Sequence, residues 1–319
     1  MKILFLCPDY YGIYKIIEKG IKENIDCELK TLVFKDYEYK NLFQKIENFI
    51  SKIFFRKNKK KIWSSKQNVK SIEPNDHFDV LFIICPDFLQ NQELHYITER
   101  ADKSIVYYWD SFDNIPRYKR TLPFFDIHYS FEKRDVDKYQ LQFLTNFYYK
   151  TETTASDNEY DVFFIGALDN RISTLLDITN ATAKRSKKII VQSNNNNNNK
   201  IKKKYIDKGI ELIENTITFH EAEAYFEKSK VIIDIQKKIQ NGLTFRVFEA
   251  IGRKKKIITT NKDIVHYDFY NPNNIFVWDK NSKEIPSSFF DSPYEELEKS
   301  IYEKYSLKNW INTLFEVRE

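Results

Sequence analysis

Apolar positions along the chain alternate between short β-branched runs and stretches where they recur every three or four residues. The runs at 2–7, 28–34, 77–85, 104–109 and 125–131 read as strands of a first set. Those at 161–166, 188–192, 210–213, 231–235, 256–260 and 274–278 read as a second set. Most are continuously apolar, which is the pattern of parallel strands covered on both faces. Helical spacing fills the gaps, at 13–22, 39–61, 90–100, 132–139, 219–228 and 245–251, and again after Pro293 to the chain end. Strand–helix alternation in two sets predicts an α/β protein of two Rossmann-like domains facing a cleft. The polar segment 151–159, TETTASDNE, reads as the link between them. The run Asn194 to Asn199 with Lys200 to Lys204 reads as a surface loop without chemistry.

The second set centres on one unit. A strand at 231–235 leads through Asn241-Gly242-Leu243-Thr244 into a helix whose Phe245, Phe248 and Ile251 share a face. Thr244 is placed as N-cap and Gly252 as the C′ residue that ends the helix. A loop entering a helix N-terminus gathers backbone N–H groups and the positive end of the helix dipole, which suits a phosphate. Arg246 in the first turn opposes that dipole unless an anion binds there, and Glu249 follows on nearly the same face. A solvated Arg246–Glu249 pair is the alternative from spacing alone.

Composition narrows the class. The 319 residues carry 42% hydrophobic and 30% charged side chains with a net charge of +5, which fits a globular protein with a substantial core. So small a net charge speaks against a dedicated nucleic-acid binder. Cys7, Cys27 and Cys85 lie in or beside apolar runs and read as core thiols of a reducing cytoplasm. No apolar stretch approaches the length of a membrane span, and the N-terminal run is too short for a secretory signal.

Ligands of open parallel sheets meet the carboxyl ends of the strands. This selects Asp9, Tyr10 and Gly12 after the first strand, and Asp110 in Trp109-Asp110-Ser111 after the fourth. Asp110, and Asp9 after it, are the candidate bases or contacts for an acceptor hydroxyl. A tight turn at Asp9 and a helix cap at Asp110 are the structural alternatives. Gly166 and Arg171 occupy the corresponding turn and helix start of the second set. Asp135-Val136-Asp137 has the spacing of a metal motif but falls inside a helical segment, and His128 reads as packed in the sheet. The segment 53–63, IFFRKNKKKIW, mixes aromatic with basic residues, which suits either an anionic membrane surface or a solvated loop.

The stretch Asn241-Gly242-Leu243-Thr244-Phe245-Arg246-Val247-Phe248-Glu249-Ala250 resembles the donor-binding loop and helix of GT-B-fold glycosyltransferases. It is most similar to the bacterial lipopolysaccharide and capsule enzymes of the CgeB-like type, as is Tyr107-Tyr108-Trp109-Asp110-Ser111. The resemblance implies an N-terminal acceptor domain at 1–150, with a C-terminal helix at 300–319 packing back on it, and a donor domain at 157–299. It implies a nucleotide-sugar donor and a glycan or lipid-linked acceptor. Gly242, Leu243, Thr244, Arg246 and Arg171 would hold the diphosphate, the Gly166 turn and Asn241 would approach the donor, and Glu249 would hold the ribose. The first of the family's two glutamates is replaced by Asn241. Tyr10 and Gly12 would face the acceptor. With arginines supplying positive charge, no metal or other cofactor is expected. The expected location is the cytoplasm or the inner face of its membrane. A non-catalytic, membrane-associated scaffold with a degenerate fold is the competing expectation.

Overall fold

The strands form because their apolar runs are covered on both faces. In the computed structural model, residues 1–150, 158–182, 184–193, 205, 208–215, 217–282 and 284–317 are described. The expected link at 151–159 (apart from Asn158 and Glu159) and the run 194–204 lie outside them. The chain divides into two compact units, residues 1–144 with 314–319, and residues 145–313.

In the first unit, β1 (Lys2–Pro8), α1 (Ile13–Asn24), β2 (Glu28–Phe34), α2 (Leu42–Phe55), α3 (Lys59–Val69), β3 (Phe78–Ile84), α4 (Asn91–Thr98), β4 (Ala101–Tyr108), β5 (Ile127–Ser130), α5 (Lys133–Tyr139) and β6 (Gln142–Phe143) follow in order. All strand pairs are parallel, in the order β2-β1-β3-β4-β5-β6. Chain order reverses between β1 and β3, so the loops after these two strands diverge and leave a crevice. Phe5 stacks on Phe82 with ring centroids 5.2 Å apart. Tyr108 packs against Phe112 and Tyr118 at 4.7 and 4.8 Å. Contacts of this kind contribute about 0.5–1.5 kcal/mol each beyond area burial.

In the second unit, β7 (Tyr160–Ala167), α6 (Ile172–Ala181), β8 (Lys187–Gln192), β9 (Ile210–Ile213), α7 (Phe219–Glu227), β10 (Ser229–Asp234), α8 (Phe245–Gly252), β11 (Lys256–Thr259), β12 (Ile275–Val277), α9 (Ser287–Asp291) and α10 (Lys299–Lys304) follow. The sheet runs β12-β11-β10-β7-β8-β9 and is again parallel throughout. This is the Rossmann order, with its reversal between β7 and β10. The last helix, α11 (Leu307–Phe315), belongs to this unit as far as Thr313.

Two expectations change in detail. The helical pattern at 39–61 is two helices, because Arg56 adopts a left-handed φ of 52° and Asn58 caps a new start through Lys61 N. Gly252 is the last residue of α8 rather than its C′, and Lys254 takes the left-handed position with φ 52°. Glycine is needed at 252 for a different reason: a Cβ there would lie 2.6 Å from Tyr148 Cβ and closer still to the Lys150 carbonyl oxygen. His128 packs as expected, its ring nitrogens 2.9 Å from the Phe125 carbonyl and 3.4 Å from the Tyr108 hydroxyl. No helix among the described residues is long and apolar enough to cross a membrane.

Candidate functional site

The reversal of the second sheet brings together the chain after β7 and the chain after β10. A cavity of ≈ 520 Å³ opens at the carboxyl ends of β7, β10, β11 and β12. Its wall includes Arg171, Lys238, Lys262 and Lys280, with Asp279 as its one carboxylate. Lys262 pairs with Asp279 at 2.6 Å, so the wall keeps a positive excess. Ile235, Thr260 and Trp278 supply apolar and hydroxyl surface. A concave site with a few convergent charged groups is where a small-molecule ligand is expected.

Arg171 is the most tightly positioned of these cations. It stands at the N-terminus of α6, where its Nε and Nη2 donate to the Asp169 carboxylate at 2.9 and 2.7 Å. Its Nη1 donates to the Ile235 carbonyl at 2.9 Å, tying the two loops at the sheet reversal to each other. Burial raises the Asp169 pKa, but hydrogen bonds from and charge on Arg171 outweigh it, and the carboxyl sits below its usual range.

The loop at 241–244 is held by its carbonyls. Asn261 Nδ2 donates to the Asn241 oxygen at 2.9 Å, and Asn146 Nδ2 donates to the Leu243 oxygen at 3.0 Å. Thr244 occupies the N-cap position, but its hydroxyl does not cap α8. It donates to Asp234 Oδ1 at 2.7 Å, while Thr259 Oγ1 donates to Oδ2 at 2.9 Å. Donation of the Thr244 hydrogen to a buried carboxylate is a charge-assisted bond, stronger than one between neutral groups.

Arg246 is half-buried, lies over the Phe164 ring 5.4 Å from its centroid, and donates to the Ile165 carbonyl. Burial lowers its pKa, and the charges of Asp234 and Glu249 oppose that change. The first-turn cation is therefore met within the fold by acidic groups, Asp234 first and Glu249 second. Gly166 lies on β7, where a Cβ would approach the Phe164 ring to 2.7 Å.

Glu249 is 4% exposed and pairs with Arg253 at 3.5 Å. Burial drives its pKa up to about 7, opposed by Arg253 and Arg246 and assisted by Glu223. Glu223 in turn accepts from the Tyr149 hydroxyl at 2.7 Å and from Lys150 at 2.6 Å. Of the donor-side residues expected from sequence, Arg171 lines the cavity, whereas Gly166, Asn241, Gly242, Leu243, Thr244, Arg246 and Glu249 are not in its wall.

The raised Glu249 pKa has a testable sign. The folded protein holds this proton up to about 7, the unfolded chain only to 4.5. Stability from the neutral carboxyl is thus complete below the unfolded value and lost as pH rises through the folded one. Glu249→Gln is expected to remove that decline, so the difference between wild-type and variant unfolding free energies should fall steadily from pH 4.5 to 7. Denaturant titrations at several pH values measure it; a difference independent of pH contradicts the assignment.

The reversal of the first sheet gathers a second set. Tyr11 and Gly12 have left-handed φ values of 55° and 84°, and the Asp9 carboxylate accepts from Gly12 N at 2.9 Å. Asp9 is exposed and holds this turn. Asp110 holds another, accepting from Ser111 N at 2.8 Å and from Asn114 Nδ2. Tyr10 lies near Cys85, Asp87 and Asp110, and burial first and these neighbours next raise its pKa. Asp135, from the metal-like spacing, is buried and accepts from Phe112 N at 2.9 Å. It braces the loop after β4.

Asp87 is the residue that sequence reasoning passed over. It follows β3 through Cys85, whose backbone is left-handed at φ 57° and whose sulfur accepts from the Tyr118 hydroxyl at 3.3 Å. Burial raises the Asp87 pKa, against its own N–H, Arg117, Arg120 and Lys61. Its Oδ1 is buried without a hydrogen-bond partner among the described residues. The rule that selected Asp9 and Asp110 also covers Cys85-Pro86-Asp87 at the end of the third strand.

No family model and no curated protein sequence matches the chain. Solved structures do, over nearly its whole length. AviGT4, a glycosyltransferase involved in avilamycin A biosynthesis, aligns at TM-score 0.58 and 7% identity, over 99% of this chain and 96% of that one. Anabaena Alr3699/HepE in complex with UDP-glucose gives TM-score 0.55 and 9% identity, over 99% and 98%. S. aureus MnaA with UDP gives TM-score 0.53 and 13% identity, over 98% and 94%. At such identities the likeness shows the fold, two Rossmann-like units of the GT-B class, and leaves the chemistry to the site.

Proposed function

We propose that the chain is a nucleotide-sugar-dependent glycosyltransferase that builds a bacterial surface polysaccharide such as lipopolysaccharide or capsule. The observation that carries this reading is the ≈ 520 Å³ cavity at the strand ends of the second unit, with Arg171, Lys238, Lys262 and Lys280 in its wall. A nucleoside diphosphate has negative charge to meet the positive excess that the wall keeps beside the Lys262–Asp279 and Arg171–Asp169 pairs, and a base that can lie on apolar wall. The fold is shared with proteins described in complex with UDP-glucose and with UDP, which supports the same ligand class here.

In this reading the second unit takes the donor and the first takes a glycan or lipid-linked acceptor. Arg171 and the lysines neutralise the diphosphate, with the N–H groups of Gly242 to Thr244 and Arg246 nearby in the fold, and Glu249, the ribose residue of the sequence reading, reaches a ribose only by leaving Arg253. The acceptor oxygen attacks the anomeric carbon as the carbon–oxygen bond to the diphosphate breaks. The hydroxyl proton passes to a carboxylate of the first unit, Asp110 or Asp9 by sequence and Asp87 by its raised pKa and the lack of a hydrogen-bond partner for its Oδ1 among the described residues. The nucleoside diphosphate leaves with the bonding pair, its charge met by side chains rather than a metal. The enzyme works in the cytoplasm, at the inner membrane face, with 53–63 toward lipid.

Arg171→Ala is expected to lower donor turnover about 10- to 100-fold, the usual loss when a fixed cation leaves a developing charge. Release of nucleoside diphosphate from a panel of nucleotide sugars measures it, with thermal unfolding as the control for fold. Undiminished turnover would falsify the assignment of the cavity.

The burial of Glu249 against Arg253 favours the second reading, a membrane-bound scaffold whose donor site has decayed. Replacing Lys57, Lys59, Lys60 and Lys61 by alanine separates the two. A catalyst keeps its turnover on a soluble acceptor, and a scaffold shows none before or after.

A further inference from the structure

Helix α2 is inside out. Seven large apolar residues, Leu42, Phe43, Ile46, Phe49, Ile50, Ile53 and Phe54, fall within an arc of about 140° at 100° per residue. All seven are exposed, Phe43 by 83% and Phe54 by 74%. The buried residues of the helix are Asn48 and Ser51, at 2% and 3%. Asn48 fixes this orientation: its Nδ2 donates to the Tyr39 hydroxyl at 2.7 Å, and its Oδ1 accepts from Lys60 N at 3.0 Å. Asn41 caps the helix start through Gln44 N. Polar hydrogen bonds thus hold the apolar stripe outward, against the direction that burial in water would choose.

The charge around the stripe points to its occupant. Between Leu42 and Lys61 there are seven basic residues and one acidic residue, Glu47, which pairs with Lys59 at 2.5 Å. Lys45 and Lys52 border the apolar arc on one side, Glu47 with its partner Lys59 borders the other, and the left-handed turn at Arg56 sends Lys57 to Lys61 off its end. A second copy of this chain would bring two such positive surfaces together. An apolar arc edged by lysine and arginine fits a bilayer with anionic headgroups.

We propose that α2 lies in the headgroup region of an anionic membrane, its Leu42–Phe54 stripe among the acyl chains and its basic border at the phosphates. The inference rests on the functional reading only where a lipid-linked acceptor gives the contact a purpose. Its physical basis is the orientation of one helix.

Sedimentation with vesicles of phosphatidylglycerol and phosphatidylcholine tests it on the full chain. Wild type is expected to sediment with mixed vesicles and much less with pure phosphatidylcholine. The triple variant Phe43→Ser, Phe49→Ser, Phe54→Ser should bind at least about tenfold more weakly, because it removes three exposed rings. These side chains support no core, so unfolding transitions and nucleoside diphosphate binding should match wild type. Vesicle binding unchanged in the triple variant, or absent in wild type, overturns the proposal. So does a dimer that only the triple variant loses, which would assign the stripe to a second copy. Because nucleotide binding is read separately, failure here and failure of the donor site are told apart.

Discussion

Asp234→Ala should cost about 3–5 kcal/mol of stability, the range for breaking a buried charged network by removing one partner. Asp234 is 1% exposed and accepts hydroxyl hydrogen bonds from both Thr244 and Thr259. It also supplies negative charge beside Arg246. The alanine variant leaves Thr259 and the half-buried arginine without that carboxylate and frees the loop before α8. Asp234→Asn keeps one carbonyl acceptor and should lose less. Urea unfolding measures both, and a loss under about 1 kcal/mol in the alanine variant would show that the network contributes little. The same substitution connects stability to the proposed chemistry, because Thr244 starts the helix that carries Arg246 and Glu249.

Gly252→Ala is the second large effect, about 1–3 kcal/mol by the usual cost of overpacking. The added methyl meets the Lys150 carbonyl and Tyr148 Cβ, which are parts of the backbone and stem and cannot swing aside as a side-chain tip can. Tyr148 is itself held, 4.7 Å from the Tyr302 ring, and the Tyr302 hydroxyl donates to the Gly252 carbonyl at 2.7 Å. In exposed helix positions alanine stabilises relative to glycine. A gain in melting temperature here would mean that this contact yields more readily than its geometry implies.

The strands were legible because β-branched runs such as 78–84 and 231–234 leave no other covered structure for so many apolar side chains. The loop and helix at 241–252 were legible in outline, from a threonine, a glycine and aromatic spacing. What the pattern lacks is direction. Helical periodicity located the apolar stripe of α2 and said nothing of which side the protein would cover, because Asn48 and Tyr39 make that choice through hydrogen bonds. Gly252 was read for backbone freedom, whereas its need comes from Tyr148, over a hundred residues away. Asp87 was within reach of the strand-end rule, but what sets it apart, a buried Oδ1 without a hydrogen-bond partner among the described residues, depends on packing that local sequence does not carry. Glu249 matches a motif by position, yet Arg253, four residues on, claims its side chain.

The central claim is that the cationic cavity of the second unit takes a nucleoside diphosphate. Calorimetric titration of the full chain with uridine, adenosine, guanosine and cytidine diphosphates, in chelator and without divalent cation, tests it most directly. The account predicts binding of at least one of them, weakened about tenfold or more in Arg171→Ala, as loss of a charge-assisted pair implies. Binding that is undiminished in Arg171→Ala, or no binding of any nucleoside diphosphate, would contradict it.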